Sequence, residues 1–458
     1  MTALVQFRRR SLLIAAAATS SLAHDTALAA GQGAAPAPIV PIAPPIAPPI
    51  APPITPPPAT VACTPVAGSG EVHLVGNSFP AVAHIARIAV GCSRPGLRVV
   101  FKLTPQASID TEQAFGTAGR SPFDAAIVSM AVFANLYARR QLQPLTDLVQ
   151  TFGAHYRLEE RMLVRVDGEV MAIAFLQNTQ NLYYRADLFA KHHLAVPTDY
   201  ALLVQAAAVL KRNEPSISFP IAQGFAKGFD CGTEFANILA GLGGRFFQPG
   251  GAQPAFNGDV GVEAIDLMRS LMPYMTPNAL ASNADDVVNQ FQQGKAAMGV
   301  LWASRASRMD DAAASRVVGQ MQFAAAPAAR PGGRTAAHLW WDAAVLPRNN
   351  PRQREATFHV LMEGLSEATV RSGNDLGLWV RSVFKPGRFG TGVALSQAAG
   401  APVWSSEPFF SLAHAELGKL LPEALVGDRR PQAVLDAAAA AYRRSATEKG
   451  FIKPGAPA

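Results

Sequence analysis

The run Phe123-Asp124-Ala125-Ala126-Ile127-Val128 joins one acid to an almost unbroken apolar stretch. Six residues of this kind, apolar at successive positions, fit a strand covered on both faces, as in a parallel sheet. The flanking sequence agrees. Glu71 to Gly76 and Leu97 to Leu103 read as strands, and Val82, Ile85, Ile88 and Ala89 recur at helical spacing between Ser78 and Val90. A helix is expected near 108–118. Further on, Met171–Phe175, Leu182–Tyr184, Ala296–Leu301 and Ala343–Leu346 read as strands, and Asp187–Lys191, Tyr200–Lys211 and Gln432–Arg444 as helices. Alternating strand and helix signals predict an α/β fold of βαβ units.

The chain of 458 residues is too long for one simple core and suggests two lobes or domains. Its net charge of +7 is scattered in singles and pairs such as Arg139-Arg140, without the concentration a nucleic-acid binder shows, so no nucleic-acid partner is expected. No apolar run of membrane-spanning length follows the N-terminus, so the mature chain is expected to have no transmembrane segment.

Residues 1–29 read as a signal peptide. Arg8-Arg9-Arg10 is a basic region, Leu12 to Ala18 a short apolar one, and Ala27-Leu28-Ala29 a cleavage signal. The same arginines, followed by Leu12-Leu13, also resemble a twin-arginine export signal; both routes stay open. Residues 30–67 form a Pro-rich linker built on a Pro-Pro-Ile-Ala unit, which favours an extended polyproline rod. It reads either as a spacer from a surface or as an inert tail.

Cys63, Cys92 and Cys231 permit one disulfide in an exported protein. Cys63 lies just before the first strand. The helix that follows the strand runs back antiparallel to it, so Cys92 returns to the same edge of the sheet. This predicts a Cys63–Cys92 bridge with Cys231 free; the alternative is three reduced thiols.

Catalytic patterns are sparse. Ser382-Val383-Phe384-Lys385 matches S-x-x-K, a short pattern whose partner motifs are missing. His192-His193 are neighbours on a helix and do not face each other, so a cationic helix end explains them better than a metal. No catalytic residue, metal or cofactor is expected.

Four segments resemble the family 1 extracellular solute-binding proteins, the group with maltose-binding protein and the sugar-alcohol binders. The first is the opening run with Leu142-Gln143-Pro144-Leu145-Thr146-Asp147-Leu148. The second, and most specific, is Asp167-Gly168-Glu169-Val170-Met171-Ala172-Ile173-Ala174 with Asn181-Leu182-Tyr183-Tyr184-Arg185-Ala186-Asp187-Leu188-Phe189. The third is Phe291-Gln292-Gln293-Gly294-Lys295-Ala296-Ala297-Met298 with Trp302, and the fourth Pro408-Phe409-Phe410. They occur in family order. Two departures stand out: Ala174-Phe175 where a proline is usual, and Leu339-Trp340-Trp341 where many members have Gly-Gly-Trp. A bulky turn in place of a small one puts the family's usual sugar specificities in doubt.

The resemblance implies a two-lobed periplasmic-binding-protein fold, class II-like, with a hinge. Lobe 1 would hold 68–177 and 345–373, and lobe 2 181–335 and 378–458, with crossings near Gln177-Asn178, Trp340-Trp341 and Asn374. It implies a monomeric, non-enzymatic protein of the periplasm that captures a sugar, polyol or similar solute between the lobes and presents it to the permease subunits of an ABC importer. The alternative is a sensor or accessory ligand-delivery protein on the same fold. The family also points to Trp302 as a stacking residue. Trp341 lies at a presumed crossing, and Trp379 and Arg381 in a glycine-rich cleft loop. Asn178 matches a ligand-contacting acidic position and is here an amide. Strand ends add Asn77, Ser78 and Ser129, next to Met130; as plain structure they would be caps or turn residues.

Overall fold

The computed structural model describes Cys63 and residues 69–104, 107–351, 353–405, 407 and 409–453. The expected signal peptide, the Pro-rich linker apart from Cys63, and Pro408 lie outside the described residues.

The opening run becomes β3 (Ala125–Ser129), with Ala125 to Val128 buried. Beside it lie β1 (Gly70–Gly76) and β2 (Leu97–Leu103), both parallel to their neighbours. The helix Pro80–Val90 connects them. Proline opens it without loss of a hydrogen bond, and Ala81, Val82, Ile85 and Ala89 face the sheet. The other members are β4 (Leu163–Val166), β5 (Glu169–Asn178), β9 (Trp340–Val345) and β10 (Leu378–Trp379). The order is β10-β5-β9-β3-β1-β2, with β4 also on β5. β9 is antiparallel to both β3 and β5.

A second sheet of three strands has the order β7-β6-β8, from β6 (Gln180–Arg185), β7 (Met298–Trp302) and β8 (Met321–Ala324). Gly299 on β7 is required there: a Cβ would lie 1.8 Å from the Ala222 carbonyl oxygen. Helices Tyr200–Asn213, Phe229–Gly241, Asp259–Leu271, Phe410–Leu425 and Pro431–Glu448 enclose the core beside this sheet. The fold is a two-lobed α/β architecture. β5 ends at Asn178 and β6 begins at Gln180, so the chain crosses between the sheets at Thr179.

The third crossing differs from expectation. Leu378 and Trp379 pair with Gln177 and Leu176 of β5, and Trp379 and Val380 belong to the core under the first sheet. Residues 378–384 therefore stay with the first lobe, and the expected start of the second lobe at 378 is corrected. The chain leaves near Lys385, where the Asn374 amide accepts from the Lys385 N–H (3.0 Å) and donates to its carbonyl (2.7 Å).

The lobes meet on both sides of the first sheet's edge. On one side the helix Met130–Ala138 faces Phe410–Leu425, with the Ser411 hydroxyl donating to Asn135 Oδ1 at 3.2 Å. One apolar cluster there takes Val128, Phe133 and Trp341 from the first lobe and Ala236 and Phe410 from the second. On the other side Pro80–Val90 comes against the 3-10 segment Ala303–Asp310.

Cys63 and Cys92 are bridged, with Cα atoms 5.1 Å apart, and Cys231 is a buried free thiol. The bridge closes a loop with a sequence separation of 29. Cys92→Ser is expected to destabilise the protein by about 3–4 kcal/mol on the chain-entropy account. Chemical denaturation of oxidised wild type against the variant measures this. Equal midpoints would mean that the bridge constrains nothing. Among the described residues no helix is long and apolar enough to cross a membrane.

Candidate ligand cleft

The parallel strands β1, β2 and β3 end at one edge of the first sheet, where β5 leaves and β9 enters. The topology therefore gathers Asn77 and Ser78 after β1, Ser129 at the end of β3, Asn178 at the end of β5 and Trp340-Trp341 at the start of β9. Strand ends of this kind are where ligands collect in open α/β sheets. The capping reading does not hold for two of the serines. Phe79, not Ser78, occupies the N-cap of the first helix, and Ser129, the N-cap of the helix Met130–Ala138, makes no side-chain cap bond. Ser78 is exposed, and Asn77 and Ser129 are half-buried.

Across from this edge, β7 ends at Trp302. The Asn178 Nδ2 donates to Ser304 Oγ at 3.2 Å, and its Oδ1 accepts from the N–H of Ser304 (3.3 Å) and of Thr179 (3.0 Å). The amide thus ties the crossing to the segment after β7. An ionised carboxylate could accept both N–H groups and the Ser304 hydroxyl, whereas the amide also donates, leaving the Ser304 O–H free for another acceptor.

Aromatic side chains dominate the junction. Trp302 meets Trp340 edge-to-face at 5.3 Å, and Trp340 lies over Trp404 at 4.1 Å. Phe229, 53% exposed, approaches Trp340 at 6.2 Å. His338 and His414 pack on Trp404 at 5.0 and 5.4 Å. Trp341, expected at a crossing, projects to the other side of β9, against Phe133 at 5.4 Å, and its buried indole N–H has no partner among the described residues. Trp340 takes the place beside Trp302.

Trp379 and Arg381 are placed otherwise than expected. The Trp379 indole is buried and donates to the Gly373 carbonyl at 2.8 Å. Arg381 is 2% exposed and donates to the carbonyls of Leu365 (2.6 Å), Arg157 (2.9 Å) and Tyr156 (3.0 Å). Both act as internal braces of the first lobe, and their ligand role is corrected. Ser382 of the S-x-x-K pattern bonds to Glu159, and His192 pairs with Glu214 at 2.8 Å.

Beneath the aromatic rings runs a polar network in which no member is exposed. Glu234 accepts from Gln180 Nε2 (2.8 Å) and from Gln223, which reaches Tyr200. Asn237 donates to Gln180 Oε1 (2.8 Å) and bonds to His338 (2.7 Å). Burial pushes the Glu234 carboxyl up to about 8, the two amide bonds opposing, and pushes His338 and His414 down to about 4. Asp230 rises to about 6 through burial, with Arg305 opposing. Asp342, on β9 beside Ser129, rises to about 7 through burial alone. Sequence reasoning missed Phe229, Trp404, His338, Glu234 and Asp342. The available clue was Glu234 itself, a lone acid in the helix stretch Thr233 to Leu239, where Asn237 lies one turn away among apolar residues.

Among the described residues the arrangement has no nucleophile–base pair at its centre. It offers aromatic surface, amides and carboxyls, the groups that hold a hydroxylated solute by stacking and hydrogen bonds. The family model of the bacterial extracellular solute-binding proteins matches residues 93–357, more than half of the chain. No curated protein matches. Solved structures do. An ABC transporter solute-binding protein from Agrobacterium radiobacter K84, in complex with ribitol, is 20% identical with a TM-score of 0.71, over 83% of this chain and 100% of that one. Maltose-bound MalE3 of T. maritima is 16% identical at 0.71, over 82% and 99%. A solute-binding protein from Agrobacterium vitis S4 with bound D-mannitol is 17% identical at 0.71, over 84% and 100%. At these identities the structures establish the shared fold, and the family match adds membership: the chain belongs to the bacterial extracellular solute-binding protein family.

Proposed function

We propose that this protein is the capture component of an importer: it binds a sugar or polyol between its lobes and presents it to the permease subunits of an ABC transporter. It acts as a monomer in the periplasm after cleavage of the signal peptide at 1–29. Lobe 1 holds 68–177 and 345–384, and lobe 2 holds 181–335 and 385–458. The observation that carries this reading is the Trp302–Trp340–Trp404 cluster at the lobe junction, beside strand ends that supply Asn77, Ser78 and Ser129. Indole rings stack on the C–H faces of polyhydroxylated rings and chains, and strand-end side chains bond their hydroxyls. The ribitol, mannitol and maltose complexes of similar proteins support the same ligand class. Hinge closure about Thr179, Leu339 and Lys385 would report the bound state to the permease.

A thermal-shift and tryptophan-fluorescence screen against ribitol, D-mannitol, D-sorbitol, maltose and their relatives tests this. A ligand at a hundredfold excess over its dissociation constant adds about 2.7 kcal/mol of stability. Silence across the panel would refute the reading. Once a ligand is found, Trp302→Ala is expected to weaken its binding by about 1–3 kcal/mol, through loss of the aromatic platform. Wild-type affinity in that variant, measured by calorimetry, would remove Trp302 from the site.

A further inference from the structure

Asp342 sits on β9 opposite Ser129, at the level where the parallel strands end. Along β9, Trp341, Ala343 and Val345 pack into one cluster, which the Trp340 ring also joins at the strand's start, and Ala344 and Leu346 into the cluster on the other face. Strand alternation puts Asp342 on the second face, in line with Trp340, their Cα atoms about 7 Å apart. Asp342 is 8% exposed. Its carboxylate makes no hydrogen bond and no ion pair among the described residues, and burial is the one influence on its titration.

A buried carboxylate is normally paired, because its desolvation costs several kcal/mol that only a counter-charge or full hydrogen bonding offsets. The arginines of this region are directed elsewhere. Arg305 faces Asp285 and Asp230, Arg381 holds three carbonyls, and Arg388 pairs with Asp310. A neutral hydroxyl would give Asp342 a hydrogen bond but leave its charge uncompensated. An ammonium group supplies both, and a neighbouring indole attracts the same cation.

We propose that the cleft selects a hydroxylated solute carrying a protonated amine, an amino sugar or amino-polyol, whose ammonium pairs with Asp342 beside the Trp340 indole. This rests on the ligand-capture reading above and narrows its substrate class. It assigns Asp342 as the residue that separates charged from neutral members of that class.

Calorimetry with matched pairs tests it: 1-amino-1-deoxy-D-sorbitol against D-sorbitol, and D-glucosamine against D-glucose, near neutral pH. Wild type should bind at least one aminated member about tenfold or more tightly than its neutral partner. Asp342→Asn keeps the side-chain shape and removes the buried charge. It should fold at least as stably as wild type and reduce the preference to within about twofold. Equal or tighter binding of the neutral members by wild type overturns the proposal and leaves sugar or polyol capture standing. A preference that survives in Asp342→Asn removes Asp342 from the assignment. No binding of any member of either series, or of the wider panel, overturns the capture reading itself.

Discussion

Arg381→Met is expected to destabilise the protein by about 5 kcal/mol and to leave the ligand affinity of the folded fraction unchanged. The guanidinium donates to three main-chain carbonyls from two separate segments, Tyr156-Arg157 and Leu365, at 2.6 to 3.0 Å. Each bond from a charged donor contributes about 1.5–3 kcal/mol, and methionine fills the aliphatic volume but donates nothing. The three carbonyls would be left wholly or partly without partners. Burial lowers the arginine's own pKa, with Glu159 and Glu367 opposing, so the brace carries a desolvation cost that its bonds must exceed. Urea unfolding at neutral pH gives the stability change, and titration with the ligand from the screen gives the affinity. A variant that kept its stability and lost its ligand would restore Arg381 to the cleft.

That placement marks where the sequence stops being legible. The strands of the first sheet announce themselves in short range: Ala125 to Val128 and Val170 to Leu176 are apolar at consecutive positions and buried on both faces. The helix Pro80–Val90 shows its buried stripe at Val82, Ile85 and Ala89. Such patterns need no knowledge of partners, and the parallel connection from β1 to β2 also brings Cys92 back to Cys63. Leu378–Trp379 is different. Two residues carry no periodicity, and the flanking Gly373 and Gly377 read as an open loop. What keeps this segment in the first lobe is long-range: pairing with β5 and the brace at Arg381. The site divides in the same way. Strand ends are local features and put Asn77, Ser78 and Ser129 among the expected residues, whereas Asn178 and Trp302 entered through the family resemblance. Which of two adjacent tryptophans faces Trp302 depends on the register of β9 against Ser129 and Asn178, and one step of register exchanges the faces. The Gln180–Glu234–Gln223 contacts join β6, a helix and a loop, and no local pattern connects them.

Raising the pH from about 5 to about 9 is expected to cost the wild-type protein about 4 kcal/mol through Glu234 alone, and Glu234→Gln should abolish that loss. Glu234 is sealed in the second lobe, with Gln180 and Gln223 as donors and, among the described residues, no cation at contact distance. Its carboxyl ionises near 4.5 in the unfolded chain and near about 8 in the folded one, with burial the largest cause. Its folded pKa is raised, so its proton-linked stability is fully present below about 4.5. That stability is lost as pH rises through about 8, at ~1.4 kcal/mol per pH unit in between. Asp342, raised to about 7, acts in the same direction over a lower window. His338 and His414 act oppositely: their folded values are depressed to about 4, so their contribution is present above about 6.5 and fades as pH falls. Between about 4.5 and 6.5 the carboxyls and the imidazoles therefore offset one another. Above about 6.5 the carboxyls act alone and stability falls. The informative quantity is the difference in unfolding free energy between Glu234→Gln and wild type, followed from about pH 5 to about pH 9. Its growth with pH in favour of the amide isolates Glu234 from the histidines, which are common to both proteins. A difference that stayed constant over that range would mean that Glu234 is ionised in the folded protein, its charge met by the Gln180 and Gln223 amides.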